Sequence, residues 1–134
     1  RDLHSFPTRR SSDLNAGYSN LVAIDLGAVT MLVLSGQVAL DYDGAIVGED
    51  MTTQAEQVFR AIGGLLAAHG AGFEHVVNIR TYLADMDLLG EYGAVRRKYL
   101  TGTPPTSTTV EVSRLFLPEA LLEVDITAVV PKVG

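Results

Sequence analysis

The stretch LLEVDITAVV, Leu121 to Val130, decides the fold. Leu122, Val124, Ile126, Ala128 and Val130 alternate with Leu121, Glu123, Asp125, Thr127 and Val129, the period of two that marks a β-strand. One face is wholly apolar and reads as core. The other mixes apolar residues with two carboxylates, two positions apart. Upstream, Ser107 to Ser113 (STTVEVS) alternates in the same way, with Val110 and Val112 opposite Ser107, Thr109 and Glu111, and Pro118 lies in the link between the two strands. Thr101 to Pro105 (TGTPP) is a rigid connector, because two prolines stop a helix and favour extended chain.

Before that connector, Leu88, Tyr92, Val95 and Tyr99 space as the inner stripe of a helix that Asp85-Met86-Asp87 can cap. Arg96, Arg97 and Lys98 fall at its C-terminal end, where cations suit the macrodipole, and read as a solvated helix end, the alternative being a contact for a partner. Glu74 to Ala84 reads as a strand, with Val77, Ile79, Thr81 and Leu83 on one face and Val76, Asn78, Arg80 and Tyr82 on the other. A longer helix precedes it. Asp50 is its expected N-cap, a Thr53/Glu56 capping box competes, and Ala55, Val58, Phe59, Ile62, Leu65 and Leu66 form its apolar face. Gly63 and Gly64 inside that helix suggest close approach to a sheet, and Gly70 and Gly72 end it. Leu21 to Ile24 and Val29 to Ser35 read as a hairpin about Gly27, and Gln37 to Gly48, with Asp43-Gly44, as a loop or second small hairpin. The order β-β-α-β-α-β-β predicts an α+β domain, a mixed sheet with two helices on one face. The uncovered face stays half apolar, which invites burial against copies of the same chain.

The chain has 134 residues with 47% apolar and 19% charged, enough for one core and too apolar for disorder. It contains no cysteine, which removes disulfides, thiolate nucleophiles and thiolate metal sites. Ten basic against sixteen acidic residues give a net charge of -6, which disfavours nucleic acid as a partner. No run of 18 apolar residues predicts a membrane span. Arg1 to Leu14 (RDLHSFPTRRSSDL) carries no usable periodicity and resembles one reading frame of a common sequencing-library adapter oligonucleotide. We expect residues 1–14 to be a non-native leader and residues 15–134 to be a single domain.

No phosphate loop, dinucleotide fingerprint, nucleophile elbow or metal-binding helix is present. Glu123 and Asp125 share one strand face and can hold a general acid or base, or can be solvated or ion-paired strand carboxylates. Glu111, with Ser107 and Thr109 on its face, can join them from the neighbouring strand. His69 and His75 read as surface or capping residues, and Arg80 as a snorkelling arginine or a carboxylate anchor.

PTSTTVEVSRL (Pro105 to Leu115) followed by LLEVDITAVV is similar to the signature end of the RidA/YjgF-type reactive-intermediate deaminase family. The likeness runs back through AGYSNLVAIDLG, LVLSGQV and TTQAEQVFRAIGGLLAAHGAGFEHVVNIRTYLADMDLLGEY, and covers Asn15 to Val130 in order and spacing. It implies a chorismate-mutase-like α+β fold, a homotrimer with clefts between subunits, and hydrolysis of small imines or enamines to a carbonyl product and ammonia without a cofactor. By position, Glu123 matches the glutamate that handles water, Tyr18 the cleft tyrosine, and Ser35 and Gly36 the SGQ turn. Thr109 stands where many members have cysteine, Asp87 near a position where some have asparagine, and Arg114 at a flanking arginine. Ser107 falls where active deaminases carry a carboxylate-clamping arginine. The resemblance therefore implies a cytoplasmic enzyme with altered substrate, in which Ser107 and Thr109 position the ligand. The alternative is a non-catalytic homotrimer that binds a metabolite or partner protein in the same cleft.

Overall fold

The last strand sits at the centre of the sheet. In the computed structural model, which describes residues 17–132, it spans Leu122–Pro131 (β5), and every core-facing residue from Leu122 to Val130 is buried. The expected leader lies outside the described residues. The other strands are β1 (Leu21–Asp25), β2 (Val29–Leu34), β3 (Val76–Leu83) and β4 (Thr106–Glu111), and the helices are α1 (Met51–Ala67) and α2 (Leu89–Tyr99). The sheet order is β1-β2-β5-β3-β4, antiparallel throughout except for the parallel pair β3–β4. This is the α+β architecture the periodicities predict, with Gly27 at φ +95 in the first hairpin.

Asp50 caps α1 by accepting from Thr53 N at 2.7 Å. The competing capping box does not form, because Glu56 turns to α2 and accepts from Lys98 Nζ and Tyr99 Oη. Val58, Phe59, Ile62, Leu65 and Leu66 bury the predicted face of α1, each contributing about 1.5–3 kcal/mol of transfer free energy. Phe59 stacks on Tyr99 at 5.1 Å and on Tyr92 at 6.1 Å, which locks α1 against α2. Gly63 admits the Phe73 ring, 3.1 Å from where a Cβ would stand, so the close approach is to the turn after the helix and not to the sheet. Gly64 meets nothing within 4 Å.

Two strand readings need correction. Residues 73–75 form a 3-10 turn, so β3 begins at Val76, and a bulge between Val76 and Asn78 resets its alternation. Val76 is buried and Val77 turns outward, the reverse of the simple alternation, while Ile79, Thr81 and Leu83 keep their predicted side. The second correction concerns β4. It neighbours β3, not β5, and Ser107, Thr109 and Glu111 lie in register with Ile79, Thr81 and Leu83. These three residues therefore sit on the helix side of the sheet. Glu111 does not join Glu123; its Oε2 accepts from Met86 N at 2.8 Å.

Candidate active site

The SGQ turn that follows β2 is held by two neighbours. Ser35 N donates to Asn20 O at 2.9 Å, and the Ser35 hydroxyl donates to Ser19 O. These bonds tie the segment carrying Tyr18 to the end of β2. Gln37 then pairs with β5: its N–H donates to Val124 O at 2.8 Å, and Val124 N donates back to Gln37 O at 3.0 Å. Gly36, caught between these ties, lies directly against Glu123. A Cβ there would stand 2.0 Å from Glu123 Oε2 and 2.7 Å from Cδ, so only glycine leaves room for the carboxylate in this position.

Tyr18, Ser35, Gly36 and Glu123 line one open cavity of about 1030 Å³. Its far wall is α1, through Gln57, Arg60 and Gly64, and its rim carries the exposed rings of Tyr42 and Phe116. Gln57 Nε2 donates to Leu40 O at 3.2 Å and fastens the 38–47 loop to the helix. The buried Gln54 does the same at the other end: Nε2 donates to Gly48 O and Glu119 O, and Oε1 accepts from Leu121 N. All its polar atoms are thereby paired, as burial demands. Ser107 and Thr109 do not line this cavity, and their side chains lie on the sheet face opposite to that of Glu123.

Glu123 is half-buried, and its pKa is raised, first by burial and then by the neighbouring charge of Asp125. Asp125 is buried on the same strand face. It accepts from Arg80 Nε at 2.8 Å and from Tyr82 Oη at 3.2 Å. Arg80 anchors a carboxylate of the chain itself while its side chain stays exposed at the surface, as the snorkelling reading has it. Burial and Asp125 also raise the Tyr82 phenol. The two carboxylates are thus differentiated: one is paired, and the other faces the cavity with its pKa raised. Such a group can take a proton from water and return it to a leaving nitrogen. His69 and His75 take no part: each bonds to nearby backbone, Leu65 O and Gly72 N respectively. Among the described residues no His, Asp and Glu side chains group so as to hold a metal ion, and no helix is long and apolar enough to cross a membrane.

Sequence reasoning missed Gln54, Gln57 and Arg60. Arg60 carried no motif, but its spacing from Gln57 and Gly64 places all three on one side of α1.

A five-stranded mixed sheet with two helices on one face, and a cavity at the end of its central strands, defines a chorismate-mutase-like α+β protein. The chain belongs to the Endoribonuclease L-PSP family (the YjgF/RidA family), whose model matches residues 9–130. It is similar to Protein DfrA of Myxococcus xanthus, 39% identical over 73% of this chain and 74% of that protein. It is also 31% identical to the mouse (Mus musculus) 2-iminobutanoate/2-iminopropanoate deaminase, over 73% of this chain and 70% of that one. Among solved structures, Rv2704 of Mycobacterium tuberculosis, a member of the YjgF/YER057c/UK114 family, superposes with a TM-score of 0.76 at 26% identity and covers 90% of this chain and 93% of its own.

Proposed function

We propose that this protein hydrolyses small reactive imines or enamines to a carbonyl compound and ammonia, with Glu123 as the proton-handling group. One observation carries the reading. A half-buried carboxyl faces the cavity beside Gly36, with its proton affinity raised by burial and by Asp125. Its setting in a family that includes a 2-iminobutanoate/2-iminopropanoate deaminase supplies the reaction type. Water adds to the C=N carbon while the Glu123 carboxylate takes one of its protons. Glu123 returns that proton to nitrogen, giving the neutral carbinolamine. The carboxylate then takes the hydroxyl proton and passes it to the same nitrogen as C=O forms and the C–N bond breaks, so ammonia leaves and Glu123 ends as the carboxylate it began as. A raised carboxyl pKa suits the return step, because the conjugate acid is then a weaker acid and persists nearer neutral pH. Tyr18 closes the cavity mouth, and the backbone of Ser35 and Gly36 orients the substrate.

In this reading the protein works as a homotrimer without a cofactor, in the cytoplasm. Val22, Ile24, Met31, Val33 and Val129 are exposed or half-exposed on the sheet face away from the helices, and packing copies together there removes apolar surface from water. Glu123 and the pair Ser107/Thr109 lie on opposite sides of one sheet. A cleft that uses all three therefore takes Glu123 from one copy and β4 from its neighbour. Nucleic acid is not part of the reading, since a chain of net charge -6 with carboxylates at its cavity repels phosphate.

Ammonia release from freshly generated 2-iminobutanoate and 2-aminoacrylate tests the activity, with Ser107→Arg alongside. A guanidinium at position 107 should tighten binding of the α-carboxylate by roughly tenfold to a few hundredfold, since charge-assisted hydrogen bonds contribute about 1.5–3 kcal/mol. A wild type silent on every imine but able to bind a small metabolite saturably would replace this reading with a non-catalytic binding trimer.

A further inference from the structure

A second cavity of about 420 Å³ lies between α2 and β4, bordered by Tyr92, Gly93, Arg96, Arg97 and Thr109. We propose that it is an anion site in which Arg96 and Arg97 hold the carboxylate of a small 2-oxo or 2-imino acid, replacing the positive charge absent at Ser107. The assignment of this ligand class rests on the imine-hydrolase reading above.

The three consecutive cations at the end of α2 are not equivalent. Lys98 is engaged by Glu56. Among the described residues no carboxylate pairs with Arg96 or Arg97. A preference for the helix C-terminus accounts for positive charge there. It does not account for a half-buried Arg96 beside an open cavity in a chain of net charge -6. Gly93 shapes the space. A Cβ at that position would stand 3.3 Å from Arg97 Nη1, so the guanidinium lies back along the helix surface over the glycine, where a larger side chain would press it outward.

Across the cavity, β4 supplies hydroxyls. Thr109 is in register with the buried Thr81, and Ser107 with Ile79, so both project toward the α2 side of the sheet. Arg96, the exposed Arg97 and Thr109 border one small space, which so offers two guanidinium forks and a hydroxyl that can donate, the chemistry that a carboxylate fits. Because this space lies on the same side as Ser107 and Thr109, it belongs to the half of the composite cleft that a neighbouring copy presents to Glu123. The clamp has moved from the strand to the adjacent helix.

The test is binding of 2-oxobutanoate to the full chain, followed by titration calorimetry or by amide shifts at Gly93 and Thr109, with 2-butanone as the uncharged control. Wild type should bind the oxo acid in preference to the ketone. Arg96→Gln/Arg97→Gln should weaken that binding about tenfold to a hundredfold. Arg96→Lys/Arg97→Lys, which keeps charge but loses the fork, should fall between the two, and it carries the test if the glutamine pair melts early. Equal affinity for oxo acid and ketone, or wild-type affinity in either folded double variant, overturns the proposal. Binding involves no turnover, so the two readings fail separately. Absent imine hydrolysis with arginine-dependent oxo-acid binding refutes the enzyme and leaves the site, whereas imine hydrolysis with an unchanged KM in the double variants refutes the site and leaves the enzyme.

Discussion

Replacing Gly36 by alanine should disable Glu123 without unfolding the domain. The new Cβ would lie 2.0 Å from Oε2, 2.7 Å from Cδ and 2.9 Å from Cγ, against an ordinary contact near 3.4 Å. The carboxylate must then retreat by about 1.4 Å, the difference between these distances. What moves is the end of a flexible side chain and not backbone, so the cost to stability is that of a poorer rotamer, about 0.5–1.5 kcal/mol. That corresponds to a few degrees in Tm. The cost to chemistry is larger, since a displacement of about 1 Å at a reacting group is worth roughly a hundredfold in rate. Gly36→Ala should therefore lower kcat/KM for imine hydrolysis by about a hundredfold or more while thermal melting stays near wild type. Combined with Glu123→Gln it should add almost nothing, because both changes remove one function. The assay is ammonia release beside a melting curve on the same preparation. A folded Gly36→Ala protein with turnover within about threefold of wild type would refute the placement of Glu123 as the reacting group.

The same carboxyl gives a prediction about stability. Burial and Asp125 raise its pKa in the folded chain, so ionisation is harder folded than unfolded. Its contribution to stability is present below the ordinary carboxyl range and is lost as pH rises through the raised value. Glu123→Gln, neutral throughout, should melt above wild type at neutral pH, with the gap closing below a pH of about 4. In the core, Thr81 Oγ1 and Tyr92 Oη hydrogen-bond to each other and are both buried. Tyr92→Phe should cost about 1–3 kcal/mol by stranding the threonine hydroxyl, and Thr81→Val added to it should recover part of that loss in denaturant titrations.

The alternation of Leu121 to Val130 was enough to place β5 and to put Glu123 and Asp125 on its outer face, because a period of two survives in a central strand whichever neighbours it has. The alternation within β4 was equally legible. What could not be read was how the faces of β4 and β5 relate, since that depends on β3 lying between them and on a parallel pairing, neither of which leaves a local mark in the chain. The bulge at Val76–Val77 is hidden for a similar reason: two valines look the same whichever one turns inward. Arg80 with Asp125 and Gln54 with Glu119 join residues 45 and 65 positions apart, so their pairing waits on the tertiary fold. Arg96 and Arg97 read as a solvated helix end because the cavity beside them is bounded in part by a strand that follows the next connector.

Turnover of freshly generated 2-iminobutanoate by wild type and by Glu123→Gln, both checked for the same assembly in solution, bears most directly on the chemistry assigned here. We expect ammonia release from wild type and a loss of at least a hundredfold in the variant, the range a positioned general acid–base group contributes. Equal rates in two proteins of identical assembly would contradict it.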